Sequence, residues 1–152
     1  MALDDSAKEV NVFSSIRKYL VDALEVSGGM DLSFDISMND PNLHDPATTG
    51  WVTVNFGKMS RFGMAELNLD IYACTRKDNE GDANAALSDA IVECMTDISK
   101  PDGKRRIPVY NSSGVEVGVM FVQDIAEGER VTSPDGTKFK ILTCRLRWIA
   151  KI

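Results

Sequence analysis

Between Ala65 and Ala73 every second residue is apolar: Ala65, Leu67, Leu69, Ile71 and Ala73 alternate with Glu66, Asn68, Asp70 and Tyr72. Successive side chains of a strand point to opposite faces, so this segment belongs in a sheet with one face in a core and the other in water. The same alternation runs through Leu32 to Met38 and through Trp51 to Phe56. Further strands are expected at Arg106 to Tyr110, at Val115 to Gln123 with Val115, Val117, Val119 and Phe121 in phase, and from about Thr137 to Ala150. A half-wetted sheet needs another layer over its apolar face.

Two segments supply that layer. From Lys8 to Val26 the residues Val12, Phe13, Ile16, Tyr19, Leu20, Ala23 and Leu24 recur at helical steps, and Ser27-Gly28-Gly29 closes the helix. After a polar loop from Thr75 to Gly81, Asp82 is the expected N-cap of a second helix. Its apolar face comprises Ala83, Leu87, Ala90, Ile91, Cys94 and Ile98, and Lys100-Pro101-Asp102-Gly103 stops it. The expected fold is therefore α+β, a mixed or mostly antiparallel sheet packed against two helices, in one domain spanning residues 1–152. Asn39 to Gly50, Gly57 to Gly63, Asn111 to Gly114 and Asp124 to Gly136 are the intervening loops and turns.

The last strand changes phase. Phe139 and Ile141 share one face, whereas Leu142, Cys144, Leu146 and Trp148 share the other. Either a bulge near Thr143 flips the strand, or its two ends are buried against different partners, one of them another subunit.

Charge is distributed unevenly along the chain. The formal net charge is −6, no Lys or Arg occurs from Tyr19 to Gly57, and after Asp135 only cations remain: Lys138, Lys140, Arg145, Arg147 and Lys151. Such a pattern gives either two surfaces of opposite potential, suited to head-to-tail association, or charges that mix once the chain folds. The start, Met1-Ala-Leu-Asp-Asp, is acidic where a secretory signal would be basic, and no apolar run is long enough to span a bilayer. Cys74, Cys94 and Cys144 are too far apart in sequence for a zinc site and read as buried thiols of a reducing compartment.

No motif for catalysis or cofactor binding emerges. His44, the only histidine, lies in a polar loop, which leaves nothing on which to build a histidine-dependent triad. Gly57-Lys58-Met59-Ser60 lacks the upstream glycine and the following helix of a phosphate loop. It reads better as a hairpin loop in which Lys58, Met59, Arg61 and Phe62 present two cations beside two large apolar groups, a composition suited to contact. Lys104-Arg105-Arg106 is a basic cluster too short, in an acidic chain, to indicate DNA binding. No cofactor, metal or membrane is implied.

The strand Ala65 to Ala73, the loop Arg76-Lys77-Asp78-Asn79-Glu80-Gly81, and the helix from Asp82 together resemble the middle of bacteriophage tail terminator proteins. The closing strands from Ile107-Pro108-Val109-Tyr110, with a basic last strand, fit the same family. The resemblance covers most of the chain in element order. It implies a non-enzymatic virion protein of the tail and neck, assembled in the host cytoplasm as a hexameric ring. One face of the ring would sit on the tail tube protein, the other would meet a head-completion or stopper protein, and DNA would pass through the lumen without specific binding. The contacts it suggests are Lys58, Met59, Arg61 and Phe62, then Arg76, Lys77 and Glu80, then Arg145, Arg147 and Trp148. Another neck component (a head-completion, adaptor or tail completion protein) is the nearest alternative. A small enzyme using carboxylates at a subunit interface and a monomeric ligand-binding module are more distant ones.

Overall fold

The computed structural model describes residues 4–26, 29–34, 49–61, 64–96 and 106–149. A 3₁₀ turn, Asp5–Ala7, leads into α1, Glu9–Leu20, which continues as a π-helical segment, Val21–Val26. Next come β1, Leu32–Phe34, β2, Gly50–Ser60, β3, Met64–Thr75, and α2, Asp82–Thr96. The chain closes with β4, Arg106–Tyr110, β5, Glu116–Thr132, and β6, Lys138–Ile149. The strands form one sheet in the order β1-β2-β3-β6-β5-β4, with β1 parallel to β2 and every other pair antiparallel. The fold is α+β, a mixed six-stranded sheet with two helices.

The core lies between one face of the sheet and the helices. Ala65, Leu67, Leu69, Ile71 and Ala73 of β3 are fully buried there with Val52, Val54, Leu142, Cys144 and Leu146, against Val12, Ile16, Leu20, Ile91 and Met95 of the helices. The alternation read from β3 is the one observed. Gly29 terminates the first helical segment in the left-handed conformation, φ 66°, and the bonds Gly29 N to Glu25 O and Met30 N to Leu24 O satisfy the final carbonyls.

Several sequence expectations are corrected. β2 extends through Gly57, Lys58, Met59 and Ser60, which were expected to turn; a register shift between Phe56 and Met59 absorbs the extra residue. Gly57 sits on that bulge, and a Cβ there would lie 2.9 Å from the Asn68 carbonyl oxygen, which accounts for the glycine. β5 likewise runs to Thr132 through most of the stretch expected as a loop, held by pairing with β6. β6 contains no bulge near Thr143. It pairs with β3 in unbroken register from Lys138 to Ile149, and the bulges lie in β5, between Val122 and Asp124 and between Glu127 and Arg130. Phe139 and Ile141 simply face the side of the sheet away from the helices. Phe139 falls there in a cross-strand row with Trp51 and Cys74, both fully buried.

α2 is also rotated and capped differently from expectation. Asp82 is its first residue, and the cap is Asp78, whose carboxylate accepts from the amides of Ala83 (3.2 Å) and Asn84 (2.8 Å) and from the Thr75 hydroxyl (3.0 Å). The buried face is Asn84, Ser88, Ile91 and Met95, while Ala83 is exposed and Leu87, Ala90 and Cys94 are half-buried. Two polar residues can enter the interface because they are bonded: Asn84 Nδ2 donates to the carbonyls of Ala73 and Lys138, and Ser88 to that of Asn84. Ile98, the stop at Lys100 to Gly103, His44, Met38, Ser27, Gly28 and the loop Asn39 to Thr49, apart from Thr49 itself, lie outside the described residues. Among the described residues no helix is long and apolar enough to cross a membrane.

Candidate functional site

The helices cover one face of the sheet. On the other, the register assembles a row across five strands: Ser60 of β2, Glu66 of β3, Arg147 of β6, Phe121 of β5 and Arg106 of β4. One step further along the strands, Met64 pairs with Ile149 and Val119 with Pro108. Met64 is 64% exposed, Ile149 75% and Phe121 39%. Large apolar side chains exposed at this end of the face, interleaved with arginine, have the composition of a contact surface rather than of ordinary solvated sheet, whereas Trp51, Thr53 and Cys74 toward its other end are fully buried.

The polar members of this surface are mutually oriented. Arg147 reaches Glu66 at 3.4 Å, Arg145 bonds Asp124, and Thr143 donates to Asp70 at 2.9 Å. Arg106 lies over the Phe121 ring, 5.8 Å from its centroid. Lys58, exposed, lines a shallow pocket of about 320 Å³ with Ser60, Met64, Glu66 and Asn68. Among the described residues neither Lys58 nor Arg106 has an acidic partner, so these two cations, at opposite ends of the row, are the uncompensated charges.

The cations of β6 thus do not form a separate positive surface. Lys140 pairs with Glu127 at 2.9 Å, and Arg145 and Arg147 pair with acids on the neighbouring strands. Along β6 three of the four cations are interleaved with acids, because β6 lies between β3 and β5, which bring Glu66, Asp124 and Glu127; Lys138 has no acidic partner among the described residues.

Eight of the ten sequence-derived contact residues separate into three groups. Lys58, Arg145 and Arg147 meet on the open sheet face. Arg76, Lys77 and Glu80 lie at the other end of the strands, in the loop before α2, where the Arg76 guanidinium sits 4.4 Å from the Trp51 ring centroid and Lys77 adopts a left-handed φ of 53°. Met59 packs against the helix-side core, and Trp148 is 3% exposed with its indole nitrogen donating 3.0 Å to the Ser6 carbonyl. Trp148 therefore helps build the subunit, while Met59 remains partly exposed. Arg61 is half-buried at the end of β2, and Phe62 lies outside the described residues. Sequence reasoning missed Arg106, Phe121, Met64 and Ile149. Arg106 was visible only as part of a weak basic cluster, and no local signal links the four, since only strand register makes them neighbours.

Burial pushes the thiols of Cys74 and Cys144 up to about 12, which keeps both protonated and poorly nucleophilic at neutral pH.

No family model matches the chain, and no curated protein matches it. Two solved structures share its fold over nearly their whole length. One, whose name states no function, superposes with a TM-score of 0.62 at 10% identity, covering 93% of this chain and 95% of the other. The second belongs to the virion of a native gene transfer agent particle, with a TM-score of 0.50 at 15% identity, covering 95% of this chain and 96% of that one.

Proposed function

We propose that this chain is a structural virion protein and, more finely, a tail terminator. The carrying observation is the near-complete coverage, in both directions, of a chain from a gene transfer agent virion. Coverage of that kind argues that the entire fold, rather than an embedded motif, is shared. The resemblance of the β3 strand, the Arg76 to Gly81 loop and α2 to the middle of tail terminators supports the finer reading. So does the exposed end of the second sheet face with its apolar and arginine side chains, since a subunit of an assembly requires such a surface.

In this reading six copies close into a ring on the last layer of tail tube protein, and the opposite face of the ring receives a head-completion or stopper protein. The net charge of −6 suits a passage for DNA, because carboxylates do not grip phosphate as Lys and Arg would. Light scattering of the purified chain at two salt concentrations, with and without isolated tail tubes, tests it. A particle of six chain masses, or capping of tubes, is the expected result; a monomer that leaves tubes uncapped overturns the proposal.

A further inference from the structure

The open face carries two uncompensated cations, Lys58 and Arg106, on either side of the exposed apolar residues Met64, Ile149 and Phe121. The helix on the opposite face of the same sheet has the complementary pattern. α2 contains neither Lys nor Arg, and Asp82, Asp89 and Glu93 are all exposed on one stripe. None of the three has an ion-pair partner among the described residues. Between the acids the stripe carries Ala86, also exposed, which allows close approach.

The dimensions also agree. From Asp82 to Glu93 the helix advances about 17 Å at 1.5 Å per residue. From β2, which carries Lys58, to β4, which carries Arg106, four strand spacings amount to about 19 Å. A helix laid across the strands would bring acids to both cations while its alanine seats on the apolar centre.

We infer that the open sheet face of one copy receives α2 of a second copy of this chain, Lys58 and Arg106 meeting the acids of the α2 stripe around a centre formed by Met64, Ile149 and Phe121. The two complementary surfaces are on opposite faces of one sheet, so the contact is heterologous and repeats from copy to copy, closing into a ring if the rotation permits. The inference rests on the ring reading above and adds the joint between subunits.

Charge exchange tests it. The full chain is compared by sedimentation with K58E/R106E, with D89K/E93K, and with the fourfold variant carrying both pairs; circular dichroism and urea midpoints verify that each is folded. All four substituted positions are exposed or half-buried, so folding should survive. The wild type should assemble, each double variant should associate at least tenfold more weakly, and the fourfold variant should regain assembly. Folded double variants that assemble like wild type, or a fourfold variant that does not recover, would overturn the joint while leaving the ring intact. A wild-type chain that stays monomeric even on tail tubes would instead remove the ring reading, and the joint with it.

Discussion

The Nε of Arg130 lies 2.7 Å from Oδ1 of Asn84, joining the bulged part of β5 to a fully buried position on α2. The Nδ2 of the same asparagine bonds the carbonyls of Ala73 on β3, at 2.9 Å, and Lys138 on β6, at 3.2 Å. One side chain thereby fixes the helix against three adjacent strands.

Asn84→Leu should accordingly destabilise the fold by about 2–4 kcal/mol, because it removes every bond of this buried amide and strands two carbonyls. Arg130→Ala should cost less, since Arg130 is exposed and removes only one donor. Urea unfolding of the two variants measures the difference; equal losses would show that the bonds to Ala73 and Lys138 contribute little.

Asp78 yields a prediction about pH. Partial desolvation pushes its carboxyl up, but the amides of Asn84 and Ala83 and the Thr75 hydroxyl together hold it below the ordinary carboxylate value. A depressed folded value means that the stabilisation is present above the unfolded carboxyl value and disappears as pH falls through the folded one. Asp78→Ala should lower the urea midpoint at pH 7, and the gap from wild type should narrow progressively at acidic pH below about 4. A gap that stays constant across that range would assign the effect to something other than the cap.

Gly57→Ala should destabilise by about 1–3 kcal/mol, because the new methyl group meets the Asn68 carbonyl oxygen at 2.9 Å and main chain on one of two paired strands must give way. Thermal unfolding is the direct measurement. Gly114, with nothing within 4 Å of its Cβ position but a left-handed φ of 76°, supplies a control in which the cost of alanine arises from conformation rather than collision.

The buried thiols should be silent in the native state. With both values near 12, Cys74 and Cys144 should resist a disulfide-exchange reagent at pH 8 until the protein is unfolded, leaving at most Cys94, which is half-buried, to react. Above about pH 9 the unfolded chain ionises these thiols while the folded chain holds their protons, so stability should fall as pH rises. Rapid native modification of Cys144 would contradict its burial.

Where alternation marks burial the strand was legible, and β3 could be read residue by residue from Ala65 to Ala73; β5 could not, because Met120 and Val122 are its buried residues while Val115 and Phe121, in the apolar phase, are exposed. Strand ends were not. Lys58 to Ser60 and Asp124 to Thr132 carry almost no apolar signal, and their extended conformation comes from pairing with β3 and β6. The buried face of α2 was misassigned because Asn84 and Ser88 look like surface residues until their bonding partners are known. For the open face, the sequence indicated Lys58, Arg145 and Arg147 as cations but could not indicate that Phe121 and Ile149 surround them.

β6 lies at the centre of the sheet although it is the last of the six described strands. Before it is made, the pairs β2–β3 and β4–β5 are separate hairpins with no strand to join them, and each leaves an unpaired edge. Closure between β3 and β6 spans the whole of α2, β4 and β5, a separation that slows folding through its loop entropy. A nascent chain must therefore carry both open edges until β6 has emerged, so shielding by chaperones matters most over that interval of synthesis.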